Sequence, residues 1–326
     1  MEQRLLDNVD QLQRLLTEGG ARTLFLVCDP AIRFLSVSEW FNALEARTGI
    51  RVVRFSDFSP NPTYEAVVRG IEAFRDAGAD WIMAVGGGSA MDVAKCVKLW
   101  CRMDLAKSAL WQEAVDNGIP LIAMPTTAGT GSEATRFAVI YDRGEKQSVA
   151  HESCLPSVAL HDPDTLKTLP EYQRKATMLD ALCHAVESCW SVNSTDISRG
   201  YARDAIGLIQ KNLADYLANG EAGNAGMLRA AYLAGKAINI TQTTAGHAMC
   251  YKLTSLYGIA HGHAAALCNR ALFPWLVGHT DRCIDPRGES FLRESLDAIA
   301  SFFKTIGRPM QKNNMKQALM PKGARV

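Results

Sequence analysis

The chain has 326 residues, of which 48% are hydrophobic and 21% charged, which excludes a mainly disordered polypeptide and suits two domains. Lys and Arg number 35 against 34 Asp and Glu, so a formal charge of +1 leaves no electrostatic footprint for nucleic acid or an anionic membrane. Nine cysteines, none in a Cys-x-x-Cys pair, exclude zinc-finger and thioredoxin-type readings and suit small core residues in a reducing compartment.

Met1-Glu2-Gln3-Arg4 leads into an amphipathic stretch rather than an apolar signal region, and no run of about 18 apolar residues follows, so the expected location is cytoplasmic. Short apolar runs then predict strands at Thr23–Cys28, Val52–Phe55, Trp81–Val85, Leu121–Met124, Phe137–Tyr141 and Ser157–Leu160. Helix-period segments lie between the early strands, as at Tyr64–Ala77 and Ala90–Arg102. Such alternation predicts a Rossmann-like α/β domain, a parallel sheet covered by helices that binds ligands beyond its strands' carboxyl ends. After Leu169-Pro170 the strand signals fade. Helical patterns cover Glu171–Trp190, Asp196–Ala218, Met227–Ile240, His247–Tyr257, His261–Leu276 and Glu289–Ile306. The expected division is a nucleotide-binding domain over 1–165 and an all-α domain over 166–326 that binds metal and substrate.

Gly86-Gly87-Gly88-Ser89 follows the strand WIMAV and opens a helix, where free N–H groups and bare backbone make an anion site. Met91 stands where the usual dinucleotide fingerprint has its third glycine. Asp92 falls in the first turns of that helix and reads either as part of the site or as a first-turn stabiliser. A second loop, Pro125-Thr126-Thr127-Ala128-Gly129-Thr130-Gly131-Ser132-Glu133, follows the next strand. Its hydroxyls at Thr126, Thr127, Thr130 and Ser132 suit phosphate, ribose or carboxamide. Two such loops at successive strand ends favour a nucleotide site over two ordinary connections. Asp29 reads equally as a ribose acceptor and as a turn residue before Pro30.

Asp180 and His184, four apart on a predicted helix, share a face. His247 and His261 would lie about 21 Å apart on one straight helix, but Gly258 between them can end a helix and reverse the chain. One carboxylate and three imidazoles suit a divalent transition metal, Fe²⁺ or Zn²⁺. His263, on the other side of a helix from His261, reads as a neighbour of the ligands or as a core residue, and not as a ligand. Tyr251 and Thr254 share the face of His247, open to a metal cavity or to helix packing, while Lys252 lies off it.

Together these pieces resemble the iron-containing (group III) alcohol dehydrogenase family. The resemblance rests on Pro60-Asn61-Pro62-Thr63, Gly86 to Lys95, Pro125 to Glu133, the run Asp180-Ala181-Leu182-Cys183-His184-Ala185-Val186-Glu187, and His247 and His261 in order. It implies the dehydroquinate synthase-like fold, a cleft between the two domains, a homodimer, and NAD(H)- or NADP(H)-linked interconversion of an alcohol and an aldehyde. It also implies that Asp180, His184, His247 and His261 hold the metal, that Asp29, Asn61, Gly86 to Ser89, Asp92, Thr126, Thr127, Thr130 and Ser132 hold the cofactor, and that Tyr251 and His263 are catalytic. Tyr251 stands where many relatives have a histidine thought to move a proton. The segment His247–His263 looks like the phosphonoacetaldehyde reductase branch, whose anionic substrate needs a cationic contact; Arg136, Lys252 and Arg270 are the candidates, beside Thr254. The last residues do not match the family's C-terminus, which implies a shortened end. The rivals are a general short-chain or lactaldehyde-type dehydrogenase, a polyol-phosphate dehydrogenase or synthase of the same superfamily, and a catalytically dead nucleotide-binding relative.

Overall fold

The computed structural model describes residues 3–279, so the predicted helix Glu289–Ile306 lies outside the described residues. Six strands form one sheet: β1 (Arg4–Leu6), β2 (Thr23–Cys28), β3 (Arg51–Phe55), β4 (Trp81–Gly86), β5 (Leu121–Pro125) and, after two strands that lie outside this sheet, β8 (Val158–Leu160). They lie in the order β1-β8-β5-β4-β2-β3, and every pairing is parallel. A parallel strand covered on both faces reads as an unbroken apolar run, and β2 is buried throughout. Alternate side chains of β4 enter opposite layers. Ile82 and Ala84 pack against α3 (Tyr64–Ala77) and α4 (Gly88–Trp100); Met83 and Val85 face α1 (Val9–Glu18) and α2 (Val37–Thr48). β3 and β4 flank β2 on opposite sides, so the strand order reverses there, and the crevice beyond β2 and β4 is the expected ligand position.

One strand expectation needs correction, and one strand of the large sheet was not anticipated. Phe137–Asp142 (β6) does not join the parallel sheet but pairs antiparallel with Glu145–Ala150 (β7) in a separate hairpin. The reason is local: Arg143 and Gly144 both have positive φ and reverse the chain at once. The three-residue edge strand β1 was too short to register as a pattern.

From Glu171 onward the described residues are helical: α5 (Glu171–Trp190), α6 (Asp196–Leu217), α7 (Glu221–Thr241), α8 (Ala245–Tyr257) and α9 (His261–His279). Gly258 ends α8 in the left-handed conformation at φ 64° and turns the chain into α9. No described helix is long and apolar enough to cross a membrane.

The second glycine loop locks the sheet to the helices. Gly131 has φ +58°, and a Cβ there would lie 2.6 Å from both the Ala231 carbonyl oxygen and Gly235 Cα of α7. Gly131→Ala combines left-handed strain with a clash against backbone. It is expected to lower stability by about 2–4 kcal/mol, read as a fall in the urea midpoint.

Candidate metal and nucleotide site

Helix α5 projects Asp180, His184 and Glu187 from one face, because offsets of four and seven residues return to the same side. All three are buried. α8 brings His247 to this face and α9 brings His261. Gly262 permits the approach, since a Cβ there would strike the Ala176 carbonyl and the backbone nitrogen of Asp180. Asp180 Oδ1 lies 3.3 Å from His247 Nε2, 3.9 Å from His261 Nε2 and 4.0 Å from His184 Nε2.

Donor atoms of Asp180, His247 and His261 lie within 4.8 Å of one another. Ligands about 2.1 Å from one tetrahedral ion sit roughly 3.4 Å apart, so this set fits a single divalent cation. His184 stands beside the trio, its ring stacked on His247 at 4.4 Å, and its buried Nδ1 has no hydrogen-bond partner. Carboxylate and imidazole donors suit Fe²⁺ or Zn²⁺.

Glu187 carries a role that motif reading did not assign. Its Oε1 accepts from His247 Nδ1 at 2.5 Å and from Asn269 Nδ2 at 2.7 Å. Its Oε2 accepts from the backbone N–H and the hydroxyl of Thr244, the residue that opens α8. One carboxylate therefore caps α8 and fixes the tautomer that leaves His247 Nε2 turned to Asp180. Its place seven residues after Asp180 was the available signal.

Burial opposes every charge here, yet the partners often prevail. Burial works against the His247 cation, but hydrogen bonds to Asp180 and Glu187 outweigh it and raise this imidazole to about 9. Burial opposes the carboxylates too, yet His184, His261 and the bond from His247 hold Asp180 well below the usual carboxylate range, and bonds from His247, Asn269 and Thr244 bring Glu187 to about 2. Burial wins at His184, which falls to about 4, and also lowers His261.

Tyr251 and His261 pack with ring centroids 5.0 Å apart. Burial pushes the Tyr251 phenol far above its ordinary value, so it keeps its proton. The Thr254 hydroxyl is enclosed with no hydrogen-bond partner. His263 turns elsewhere, its Nδ1 3.1 Å from the Tyr172 hydroxyl. Of the expected cationic contacts, Arg136 is engaged with Asn239 of α7 and with Glu152, and Lys252 is exposed. Arg270 is half-buried on α9. Lys146 of β7, which no sequence pattern marked, places its Nζ 3.2 Å from the Tyr251 ring centroid.

The two glycine loops meet at the strand ends. Gly86 O accepts from Thr126 N at 3.0 Å, and a Cβ on Gly88 would lie 3.2 Å from Thr130 Cγ2. Gly87 opens α4, and Thr127 is its nearest neighbour across the gap. Asp29 Oδ1 caps the turn by accepting from Ala31 N, and its Oδ2 lies 3.2 Å from where a Gly86 Cβ would be. Ser89 is half-buried in the first turn of α4, and Asn61 is exposed at φ 59°.

Ser132 faces inward instead of lining the cleft. It is buried, and its hydroxyl and carbonyl both accept from Lys95 Nζ, which also reaches Thr135 Oγ1 and the Phe137 carbonyl. Asp92 accepts from the Val139 N–H of the hairpin, and burial raises it to about 7. Both helix residues thus secure the β6–β7 hairpin.

At the junction behind the second loop, Glu133 Oε1 and His161 Nε2 are 3.8 Å apart, and neither has a hydrogen-bond partner. Burial lowers His161 to about 4 and raises Glu133 to about 7. A raised carboxyl contributes stability that is complete below its unfolded value of 4.5 and is lost as pH rises through 7. Glu133→Gln is therefore expected to gain on the parent protein by about 2 kcal/mol between pH 5 and pH 8, measured as the difference in unfolding free energy at each pH. An equal difference at both would overturn this account.

Comparison with known proteins bears on this geometry. The iron-containing alcohol dehydrogenase profile matches residues 6–163, and that for the C-terminal part of the Fe-containing alcohol dehydrogenase family matches 175–319. Long-chain-alcohol dehydrogenase 1 of Geobacillus thermodenitrificans is 32% identical over 83% of this chain and 69% of its own length. The phosphonoacetaldehyde reductase of Streptomyces viridochromogenes is 34% identical over 72% of this chain and 62% of its own. A sulfoacetaldehyde reductase from Bifidobacterium kashiwanohense, crystallised with NAD+, superposes with a TM-score of 0.85 at 28% identity, covering 96% of this chain and 86% of that one.

Proposed function

Because the chain belongs to the iron-containing alcohol dehydrogenase family, we propose that it reduces an aldehyde to a primary alcohol with a nicotinamide cofactor and a divalent metal. The proposed substrate is phosphonoacetaldehyde, giving 2-hydroxyethylphosphonate. The carrying observation is the convergence of the His184, His247 and His261 imidazoles within 4.0 Å of one Asp180 oxygen. The named substrate draws on the Streptomyces relative. It also draws on the Bifidobacterium neighbour, whose name too denotes an acetaldehyde bearing an anionic group.

In this reading the first 165 residues carry the nucleotide and the rest carry metal and substrate. Asp180, His247 and His261 would hold the cation, with His184 closing the set and Glu187 fixing the His247 ring. A divalent cation supplies Lewis-acid polarisation of a carbonyl oxygen, and reduced nicotinamide supplies hydride. Gly86, Gly87, Gly88 and Ser89 would cradle the pyrophosphate at the start of α4, with Thr126, Thr127 and Thr130 toward the nicotinamide. Asp29 beside Gly86 would accept from a ribose hydroxyl and repel a 2′-phosphate, which favours NADH. Tyr251 holds its proton on Oη and would bind the water that protonates the nascent alkoxide.

The test is one assay panel on the full chain: NADH and NADPH oxidation with phosphonoacetaldehyde, lactaldehyde and propanal, with Fe²⁺, with Zn²⁺ and after chelation. Metal-dependent oxidation of NADH, fastest with phosphonoacetaldehyde, is the expected result. Faster turnover of the neutral aldehydes would favour the general dehydrogenase, and tight NADH binding without metal retention would favour a dead relative.

A further inference from the structure

We propose that Lys146 is the residue that recognises the anionic end of the substrate, an inference that rests on the aldehyde-reductase reading above. Lys146 sits directly opposite Tyr141 in the β6–β7 register, so the two share one face of the hairpin. The ammonium lies over the Tyr251 ring, which in turn packs on His261. A cation from the first half of the chain therefore stands next to the metal-binding helices of the second.

The hairpin is a firm support. Tyr141 N donates to the Pro62 carbonyl at 2.9 Å, Phe137 O accepts from Lys95, and the Val139 N–H is held by Asp92. Among the described residues no carboxylate lies within salt-bridge distance of the ammonium, and Asp92 of α4 acts on it only at longer range. A ring face attracts the charge but leaves N–H donors that an anion takes up with charge-assisted hydrogen bonds. Arg136 is already bonded to Asn239 and Glu152, and Lys95 to four oxygens, so neither competes for the role. A phosphonate on the methylene next to a carbonyl extends only a few bonds past it, which suits a cation stacked beside the ring that touches His261.

The test uses the full-length, metal-loaded protein with two variants, Lys146→Met and Lys146→Arg. The first readout is binding, followed by calorimetric titration with ethylphosphonate, an anion with no reducible carbonyl. Lys146→Met is expected to weaken this binding about 30-fold, and Lys146→Arg to recover most of it. The second readout is selectivity: the ratio of kcat/KM for phosphonoacetaldehyde over propanal falls by a similar factor in Lys146→Met, mainly through KM. Equal ethylphosphonate affinity in parent and Lys146→Met, or no measurable affinity in the parent, overturns the assignment. Tight, Lys146-dependent binding in a protein that reduces no aldehyde supports the anion site and refutes the aldehyde-reductase reading, so the two failures are distinct.

Discussion

Changing His247 to alanine is expected to abolish metal retention and lower metal-dependent aldehyde reduction at least about 1,000-fold. The reason is geometric. His247 Nε2 is the imidazole nitrogen nearest Asp180, at 3.3 Å, and its ring also packs against those of His184 and His261. Its loss removes a donor from the middle of the set and leaves Asp180 and Glu187 facing each other across a buried gap. Two buried carboxylates without the imidazole resist joint ionisation and cost stability. His247→Gln, closer in volume, separates that effect from the loss of a ligand. Metal content after dialysis, NADH affinity and unfolding midpoint are read side by side. Lost metal with NADH affinity kept within about threefold of the parent is the expected pattern, since the glycine loops lie on the sheet and not on α8. Full activity in a metal-free His247→Ala protein would refute the role of the cation.

Replacing Glu187 with glutamine should weaken metal affinity by about 10–100-fold although Glu187 is not itself in the ligand set. Its carboxylate accepts four hydrogen bonds, from His247, Asn269 and twice from Thr244. A glutamine offers one oxygen and an NH₂ group that must then face donors. The imidazole loses its fixed tautomer and the start of α8 loses its cap, for a further cost of about 2 kcal/mol in stability. Chelator competition gives the first quantity and denaturant unfolding the second. Unchanged metal affinity alongside reduced stability would make Glu187 a cap alone.

Much of this arrangement was legible because its signals are local and periodic. The apolar run Trp81–Val85 followed by three glycines specified a strand, a bare turn and a helix start, and all three are present. The four-residue step from Asp180 to His184 set the phase of α5, and Gly258 marked the reversal that brings His261 back to His247. The hairpin was missed because β7 is polar and largely exposed, with the composition of a loop. Lys146 was missed for the same reason: a lone lysine in such a stretch carries no pattern, and only tertiary packing sets it over Tyr251. Ser132 was misplaced because spacing says nothing about which way a loop hydroxyl points, and a buried lysine from α4 claims it.

The shared face of α5 has a consequence for how this site tolerates change. Asp180, His184 and Glu187 meet their partners only because the helix keeps its phase, and one inserted or deleted residue among them would swing the downstream side chains by about 100°. Graded losses follow from point changes on this helix, whereas a single-codon insertion or deletion would dismantle the centre outright. The residues between these three are themselves buried in the core, so variation there is confined to apolar side chains of similar volume, and their number is fixed by the helix phase.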